Sequence, residues 1–224
     1  MIKMVMFDLD GTLLDTVYYI GYSCNVCLKK LGFKEHDIRK YKYFSGDGVS
    51  NLLERALIEA GDIKLTKLEE LRKIYLIELE KNQNSDIVKS FEHIDELLAK
   101  LKEKNILITV CTNKNHNLAV KAIDDFFGKG YFDYVLGVKD EKYKKPSNYM
   151  PNSIMDKFDI SNEEVLYVGD TDTDIKTAKN AKLLSVGVTW GFRDKEELEK
   201  EKADFIVDSP LEILNILDKI GVIE

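Results

Sequence analysis

The stretch FDLDGTLLDT, residues 7–16, decides how this sequence is interpreted. It places Asp8 and Asp10 two residues apart, directly after the apolar run MVMF at 4–7. At the end of a β-strand, side chains two residues apart point to the same side, so the two carboxylates would share one space. Two like charges about 4 Å apart repel by roughly 4 kcal/mol at an effective dielectric constant of about 20. A metal ion, a proton or solvent must therefore offset this repulsion.

Short apolar runs and amphipathic helical patterns alternate along most of the chain. The predicted strands cover 2–7, 106–111, 134–138, 165–169, 183–189 and 204–207. The predicted helices that accompany them cover 91–104, 115–127, 147–158, 172–180, 194–202 and 210–220. Uniformly apolar strands that alternate with helices indicate a parallel sheet covered on both faces. We therefore expect an α/β fold with a Rossmann-like, doubly wound parallel sheet.

The alternation is interrupted once, after the first strand. The interrupting region shows helical patterns only, over 17–31, 35–43, 48–60 and 66–82. The sequence thus predicts an inserted all-helical cap domain at 16–83 and an α/β core domain made of 1–15 and 84–224. The polar stretch at 82–90 suits a hinge. Because the insertion leaves from the carboxyl end of a strand, where open α/β sheets carry their chemistry, we expect the cap to cover the site.

The composition disfavours several classes of function. The chain has 224 residues and a net charge of −7, which makes it a poor candidate for sequence-independent nucleic-acid binding. No apolar run is long enough to span a bilayer, and the N-terminus lacks the pattern of a signal peptide. Three cysteines, an odd number, are typical of a reducing compartment. We expect a cytoplasmic protein without nucleic-acid or membrane partners.

Cys24 and Cys27 form a C-x-x-C pattern, which occurs in redox pairs and in half of a zinc site. A zinc site needs further ligands of similar spacing, and Cys111 stands alone. The two cysteines fall in the predicted helix 17–31 and share one face of it. We interpret them as small apolar helix residues.

Polar residues follow four of the predicted strands. They are Asp8, Asp10, Thr112, Asn113, Lys144, Lys145, Asp170 and Asp174, and Gly169 ends the strand before Asp170. Because the carboxyl ends of parallel strands meet at one edge of the sheet, we expect these residues to lie together. Carboxylate oxygens suit Mg²⁺, which would offset the repulsion between the acids and let a phosphate approach. Thr112 and Lys145 can donate hydrogen bonds to phosphate oxygens, and Gly11 allows close approach of the neighbouring backbone N–H groups.

Four motifs in this order make the sequence similar to the haloacid dehalogenase superfamily over nearly its whole length. They are D-x-D-G-T at Asp8–Thr12, a strand-ending Thr at Thr112, Lys-Pro at Lys145–Pro146, and G-D-x-x-x-D at Gly169–Asp174. Within the superfamily the sequence resembles phosphoglycolate phosphatase-like members, which carry a helical cap after the first motif. That likeness lies in SGDGVSNLLERAL (45–57), GDTDTDIKTAKNAKLLSVGVTWGF (169–192) and ADFIVDSPLEIL (203–214).

The resemblance implies a Mg²⁺-dependent phosphatase that acts on a small phosphorylated metabolite, a phosphoglycolate-like monoester. Asp8 would be the nucleophile and form an aspartyl-phosphate, while Asp10 would protonate the leaving alcohol and then activate water. Asp8, the backbone carbonyl of Asp10, and Asp170 would bind Mg²⁺. Asp174 would orient these ligands or bind through water. The residues that would bind phosphate are Thr112, Asn113, Lys145 and Gly11.

The third motif departs from the family's frequent K-P-x-P pattern. It reads Lys145-Pro146-Ser147-Asn148, which keeps the lysine, and the adjacent Lys144 is an alternative for the same role. Four residues of the cap are expected to face the site when the cap is closed, namely Phe44, Gly46, Asp47 and Gly48.

Other functions remain as alternatives. A β-phosphoglucomutase-type phosphotransferase resembles this chain but typically carries a His shortly after the first motif, where Val17-Tyr18-Tyr19-Ile20 stands here. A pyrophosphatase or nucleotidase of the same superfamily stays open. A receiver-like signalling module also phosphorylates an Asp at a sheet edge, but it needs neither a helical insertion nor the acid at Asp10.

Overall fold

The structure, a computed structural model, describes residues 1–82 and 87–221. Its strands are β1 (Met4–Phe7), β2 (Leu14–Asp15), β3 (Lys89–Ser90), β4 (Leu107–Asn115), β5 (Tyr134–Val138), β6 (Val165–Gly169), β7 (Leu184–Val188) and β8 (Phe205–Val207). Its α-helices are α1 (Val17–Lys30), α2 (Tyr41–Phe44), α3 (Val49–Glu59), α4 (Leu68–Asn82), α5 (Ile94–Glu103), α6 (His116–Phe127), α7 (Tyr149–Phe158), α8 (Asp172–Asn180), α9 (Lys195–Lys200) and α10 (Glu212–Ile220).

Six of these strands form one parallel sheet in the order β5-β4-β1-β6-β7-β8. From the central strand β1 the chain first builds one side through β4 and β5, and then crosses to build the other side through β6, β7 and β8. The strand order therefore reverses beside β1, and in such sheets ligands bind outside the carboxyl ends of the strands at that point. The predicted α/β, doubly wound parallel fold is confirmed.

All four residues of β1 are buried, and they alternate between two apolar cores. Val5 and Phe7 belong to the larger core, which includes the inner faces of α5 and α10. Met4 and Met6 belong to a smaller core with residues of α7. This alternation follows from the two-residue period of a strand, and it explains why a strand covered on both faces is apolar throughout. A rigid strand thus carries the residue that follows it, Asp8.

A helical insertion of α1 to α4 separates β2 from β3. These two short strands pair antiparallel, Leu14 opposite Ser90 and Asp15 opposite Lys89, so the chain leaves and re-enters the core side by side. The predicted boundary between 83 and 84, and part of the predicted hinge at 82–90, lie outside the described residues. The division into a core and a cap domain stays a prediction.

The predicted helix over 35–43 is wrong in its first half. Residues Ile38–Lys40 form one 3₁₀ turn, and α2 begins only at Tyr41. The side chain of Asn25 binds both backbone groups of His36, accepting from its N–H at 2.9 Å and donating to its carbonyl at 2.8 Å. Because a distant side chain satisfies these groups, the backbone at His36 does not need helical hydrogen bonds.

Strand β4 is longer than the predicted 106–111 and continues to Asn115. Its pairing with β5 shifts register between Thr112 and Asn115, which is a bulge in the strand. Bulges change the direction of the side chains around them and are frequent beside active sites. This bulge carries Asn113 and Lys114 past the end of the regular ladder.

Cys24 and Cys27 are buried in the larger core, as their interpretation as apolar helix residues predicts. Burial raises the pKa of the Cys24 thiol to about 12. All three cysteines are free thiols. Within the described residues, every helix is too short or too polar to traverse a bilayer.

Candidate active site

Asp8 is the first residue after β1. Its backbone N–H donates to the carbonyl of Val168 at 2.9 Å, which fixes it against the end of β6. Its side chain is 8% exposed. The sequence therefore buries a carboxylate at the centre of the carboxyl edge of the sheet.

Lys145 is the buried cation beside this carboxylate. Its Nζ lies 2.8 Å from Asp8 Oδ1 and 2.7 Å from Asp174 Oδ1, and its side chain is 1% exposed. Burial lowers the pKa of Lys145, but Asp174 and Asp8 outweigh this effect and raise the pKa above its ordinary value. Lys144, the sequence alternative, places its Nζ 3.3 Å from Glu141 and is partly exposed. The structure thus brings Lys145, and not Lys144, to Asp8.

Asn113 fixes the backbone of Lys145. Its Oδ1 accepts from the N–H of Lys145 at 2.8 Å, and its Nδ2 donates to the carbonyl of Lys145 at 3.2 Å. The same Nδ2 lies 3.3 Å from the carbonyl of Gly46 in the helical insertion. The side chain of Asn113, predicted to bind phosphate, therefore holds the segment that carries Lys145, and a phosphate contact would fall to its backbone.

Asp174 orients Lys145 from the first turn of α8. Its Oδ2 accepts from the N–H of Thr171 at 3.0 Å and from the Thr171 hydroxyl at 2.7 Å, which forms the capping box of the helix. Its Oδ1 accepts from Lys145 at 2.7 Å and from the hydroxyl of Tyr167 at 3.3 Å. Both oxygens are already engaged, so the side chain has a single orientation.

Asp170 follows β6 and is held by two loops. Its Oδ1 accepts from the hydroxyl of Thr12 at 3.0 Å, and its Oδ2 accepts from the N–H of Phe192 at 2.7 Å. Gly11 adopts a φ of +90°, and a Cβ at this position would lie 2.3 Å from Asp170 Oδ2. The first motif therefore needs glycine here both for its backbone conformation and for its close approach to Asp170.

The carboxylates of Asp8, Asp170 and Asp174 are all buried, and each offers an oxygen within 4.8 Å of the others. A single ammonium, that of Lys145, pairs with two of them, so negative charge is in excess. Burial raises the pKa of Asp8 to about 6, with Lys145 opposing the increase and Asp174 adding to it. Burial, then Asp174 and Asp8, raises the pKa of Asp170 well above its ordinary value.

These residues fit a divalent cation. Asp8 Oδ1 is buried and receives no well-aligned hydrogen bond, although the Lys145 ammonium lies 2.8 Å away. A buried carboxylate of this kind is costly unless it is paired or coordinates a metal. Its hard oxygen donors, with those of Asp170, suit Mg²⁺. Asp10 was predicted to bind the cation through its backbone carbonyl, and its side-chain carboxylate lies in a separate ion pair.

Asp10 pairs with Lys114, a residue to which the sequence argument assigned no role. Nζ of Lys114 lies 3.1 Å from each carboxylate oxygen of Asp10 and 5.2 Å from the centre of the Tyr19 ring. The two-residue period of a strand could have revealed it, because Thr112 and Lys114 share a side if the strand continues past its apolar part. The apolar run alone gave no sign that it continues.

A cavity of about 60 Å³ lies between this edge and the helical insertion. Its core wall includes Asp8, Asp10, Thr112, Asn113, Lys114 and Phe192. Its wall from the insertion includes Ile20, Ser45, Gly46, Gly48, Val49, Leu52, Tyr75 and Leu79. The insertion thus covers the paired carboxylates of the first motif.

Of the four predicted cap residues, Gly46 and Gly48 line the cavity. The ring of Phe44 packs instead inside the insertion, 5.4 Å from the ring of Tyr41. The carboxylate of Asp47 accepts from Arg55 at 2.6 Å and from Asn51 at 2.8 Å. The structure does not bring Phe44 or Asp47 to the cavity.

Arg193 joins the core to the insertion. Its Nη2 donates to the carbonyl of Ser45 at 2.9 Å, and its Nη1 donates to the carbonyl of Lys42. In return, Nζ of Lys42 donates to the carbonyl of Gly191 at 2.9 Å. These contacts link residues about 150 positions apart, and no local pattern in the sequence signals them.

Comparisons with known proteins agree on one family. The model of the haloacid dehalogenase-like hydrolases matches residues 5–188. A phosphoglycolate phosphatase from Aquifex aeolicus is 31% identical over 220 residues, which cover 96% of this chain and 97% of that protein. A protein from Caldanaerobacter subterraneus that is provisionally named a pyrophosphatase is 31% identical over 220 residues, covering 96% of this chain and 94% of its own. The crystal structure of a predicted phosphoglycolate phosphatase from Haemophilus somnus has a TM-score of 0.89 at 25% identity and covers 96% of this chain and 97% of its own.

Proposed function

This chain belongs to the haloacid dehalogenase-like hydrolase family, and we propose that it is a phosphatase that hydrolyses 2-phosphoglycolate or a similarly small phosphate monoester, with Mg²⁺ as cofactor. The observation that carries this proposal is a buried carboxylate, Asp8, at the end of the central strand and 2.8 Å from the ammonium of Lys145. Phosphoryl transfer depends mainly on positioning and on neutralisation of charge, which such surroundings supply. The name of the Aquifex aeolicus relative supports the choice of ester.

The proposed reaction has two displacements at phosphorus. A carboxylate oxygen of Asp8 attacks, the bond between phosphorus and the ester oxygen breaks, and Asp10 gives its proton to the departing alcohol. Water then attacks the aspartyl-phosphate, Asp10 takes up a proton from it, and the bond between phosphorus and Asp8 breaks. A covalent intermediate of this kind divides one difficult step into two easier ones.

The remaining residues are proposed to hold the phosphoryl group and the charge around it. Lys145 and Thr112 would donate to the phosphoryl oxygens, together with backbone N–H groups near Gly11 and Asn113. Asp8 and Asp170, with the backbone carbonyl of Asp10, would hold Mg²⁺, which when bound supplies positive charge against the carboxylates and the phosphoryl oxygens.

The cover over the cavity favours a small ester. The cavity has a volume of about 60 Å³, and the insertion bounds it with Ile20, Leu52 and Tyr75 among other residues. A phosphate bound beside Asp8 therefore places its leaving group against these side chains while the insertion covers the site.

A second candidate is pyrophosphate hydrolysis, which the name of the Caldanaerobacter subterraneus relative favours. A phosphotransferase of the mutase type is less favoured, because Val17-Tyr18-Tyr19-Ile20 occupies the region where mutases typically carry a His. A cytoplasmic location is proposed on the three free, buried thiols.

Phosphate release from a panel of compounds tests these alternatives. The panel contains 2-phosphoglycolate, pyrophosphate, a sugar phosphate and a nucleotide, each with Mg²⁺ and with EDTA. We expect Mg²⁺-dependent release that is fastest from 2-phosphoglycolate. Fastest release from pyrophosphate would favour the second candidate, and no release from any compound would refute a phosphatase.

A further inference from the structure

We propose that Lys114 and Ser45 form a subsite for a carboxylate on the leaving group, so that the enzyme selects phosphate esters of short 2-hydroxy acids over neutral esters of the same length. This inference rests on the proposed phosphatase function and assigns residues to its specificity.

Lys114 supplies the charge of the subsite. Among the described residues that line the cavity, it is the one cationic side chain, and it is 6% exposed. Its Nζ already contacts both oxygens of Asp10 at 3.1 Å. An ammonium has three N–H donors, so at least one is left for a second anion after both contacts with Asp10.

The position of Lys114 sets which esters can use this donor. Asp10, which is proposed to protonate the ester oxygen, must lie within hydrogen-bond distance of that oxygen. Nζ of Lys114 lies 3.1 Å from the same carboxylate. In the phosphate ester of a 2-hydroxy acid, the carboxylate carbon is two bonds from the ester oxygen. Such a carboxylate reaches Lys114, whereas a carboxylate on a longer chain would lie farther from the ester oxygen and from Lys114.

Ser45 supplies a hydrogen-bond donor from the opposite wall. It is 5% exposed, and its Oγ is buried without a hydrogen-bond partner in the structure. Its backbone is fixed, because its N–H donates to Tyr41 at 3.1 Å and its carbonyl accepts from Arg193 at 2.9 Å. A buried hydroxyl without a partner costs free energy, and rotation of the Ser45 side chain toward a carboxylate in the cavity would remove that cost.

The apolar side chains that line the cavity strengthen the preference for a leaving group with a carboxylate. Apolar side chains make up much of the cavity wall, namely Ile20, Val49, Leu52, Leu79, Leu118 and Phe192. In such low-dielectric surroundings the attraction between a carboxylate and Lys114 is stronger than in water. A neutral leaving group with a hydroxyl can still accept a hydrogen bond from Lys114, but it gains less because it carries no charge.

The test compares two esters that differ only at this group, 2-phosphoglycolate and 2-hydroxyethyl phosphate. The value of kcat/KM for each is measured with Mg²⁺ in the wild type, Lys114→Met and Ser45→Ala. Lys100→Met, on the exposed face of α5, is the matched control. We expect the wild type and the control to prefer 2-phosphoglycolate. Lys114→Met should reduce this preference about tenfold or more and Ser45→Ala severalfold, because hydrogen bonds to charged groups are lost.

The ratio of kcat/KM for 2-phosphoglycolate to kcat/KM for 2-hydroxyethyl phosphate shows whether Lys114 binds the carboxylate or only positions Asp10. If Lys114→Met slows both esters equally, Lys114 only positions Asp10 and the subsite is refuted. If the wild type cleaves both esters equally well, the selectivity is refuted while the phosphatase proposal stands. If it cleaves neither, the proposed function itself fails. Should Lys114→Met not fold, Ser45→Ala decides: a smaller preference supports the subsite, and an unchanged preference overturns it.

Discussion

Replacing Asp8 by Asn is expected to stabilise the metal-free protein at neutral pH, although it removes the proposed nucleophile. Burial raises the pKa of Asp8 from 3.8 to about 6, so the ionised form is less stable in the folded protein than in the unfolded chain. Since one pKa unit corresponds to about 1.36 kcal/mol, the ionised carboxylate costs the folded state about 3 kcal/mol above pH 6. Asn has the shape of the neutral acid and avoids this cost.

The contribution of Asp8 to the stability of the folded protein decreases as the pH rises. Between pH 3.8 and about 6 the folded protein holds more protons at Asp8 than the unfolded chain does. The contribution of Asp8 to stability is therefore greatest below pH 3.8, falls as the pH rises through this window, and is fully lost above pH 6. The advantage of Asp8→Asn over the wild type should accordingly be largest at pH 7 and decrease on acidification.

Thermal unfolding in EDTA, at pH 7 and pH 5, measures this effect. For a chain of this length, about 3 kcal/mol corresponds to an increase in Tm of roughly 6–12 °C. Added Mg²⁺ should raise the Tm of the wild type more than that of Asp8→Asn, because the cation binds the folded wild-type carboxylates. Asp172→Asn, at a partly exposed carboxylate of α8 paired with Lys176, is the control and should change Tm little. A lower Tm for Asp8→Asn in EDTA at pH 7 would contradict the excess of buried negative charge.

Three further substitutions test the site. Gly11→Ala should lower stability and raise the Mg²⁺ concentration needed for half-maximal activity, because its Cβ would lie 2.3 Å from Asp170 Oδ2. The control is Gly128→Ala, where φ is a similar +96° but no atom lies within 4 Å of the added Cβ. An equal effect of both substitutions on the Mg²⁺ dependence would refute the clash with Asp170. Asp174→Asn should reduce kcat about a hundredfold, since it weakens a buried, charged hydrogen bond to Lys145, and an unchanged kcat would contradict its positioning role. Arg193→Gln should lower kcat/KM about tenfold, because it removes the hydrogen bond to the carbonyl of Ser45 that holds the insertion on the core. Amide hydrogen exchange at α2 and α3 should become faster. Unchanged exchange would show that other contacts hold the insertion.

The fold could be predicted from the sequence because its local and global signals agree. The apolar run at 4–7 predicts a strand that is buried on both faces. Asp8, directly after it, predicts a functional residue at the end of that strand. The helix predicted at 35–43 failed where local pattern and tertiary contacts disagree, because Asn25 satisfies the backbone of His36 from another helix.

The candidate site could be predicted only where each residue stands in a motif at a strand end. Asp8 and Asp170 fall into this class, whereas Lys145 stands in a Lys-Pro motif seven residues after β5 ends. Lys114 could not be predicted in this way, because β4 continues through a bulge beyond the end of its apolar run. The role of Arg193 could not be predicted from the sequence. Its partners, the carbonyls of Lys42 and Ser45, are about 150 positions away and are backbone groups that every residue has.

The central claim is that Asp8 becomes covalently phosphorylated during turnover. The most direct measurement is acid quenching of the enzyme within one turnover of radiolabelled 2-phosphoglycolate in the presence of Mg²⁺, followed by mapping of the labelled peptide. The account predicts label on the peptide that contains Asp8, and neither label nor phosphate release with Asp8→Asn. Label on another residue, or undiminished phosphate release by Asp8→Asn, would contradict it.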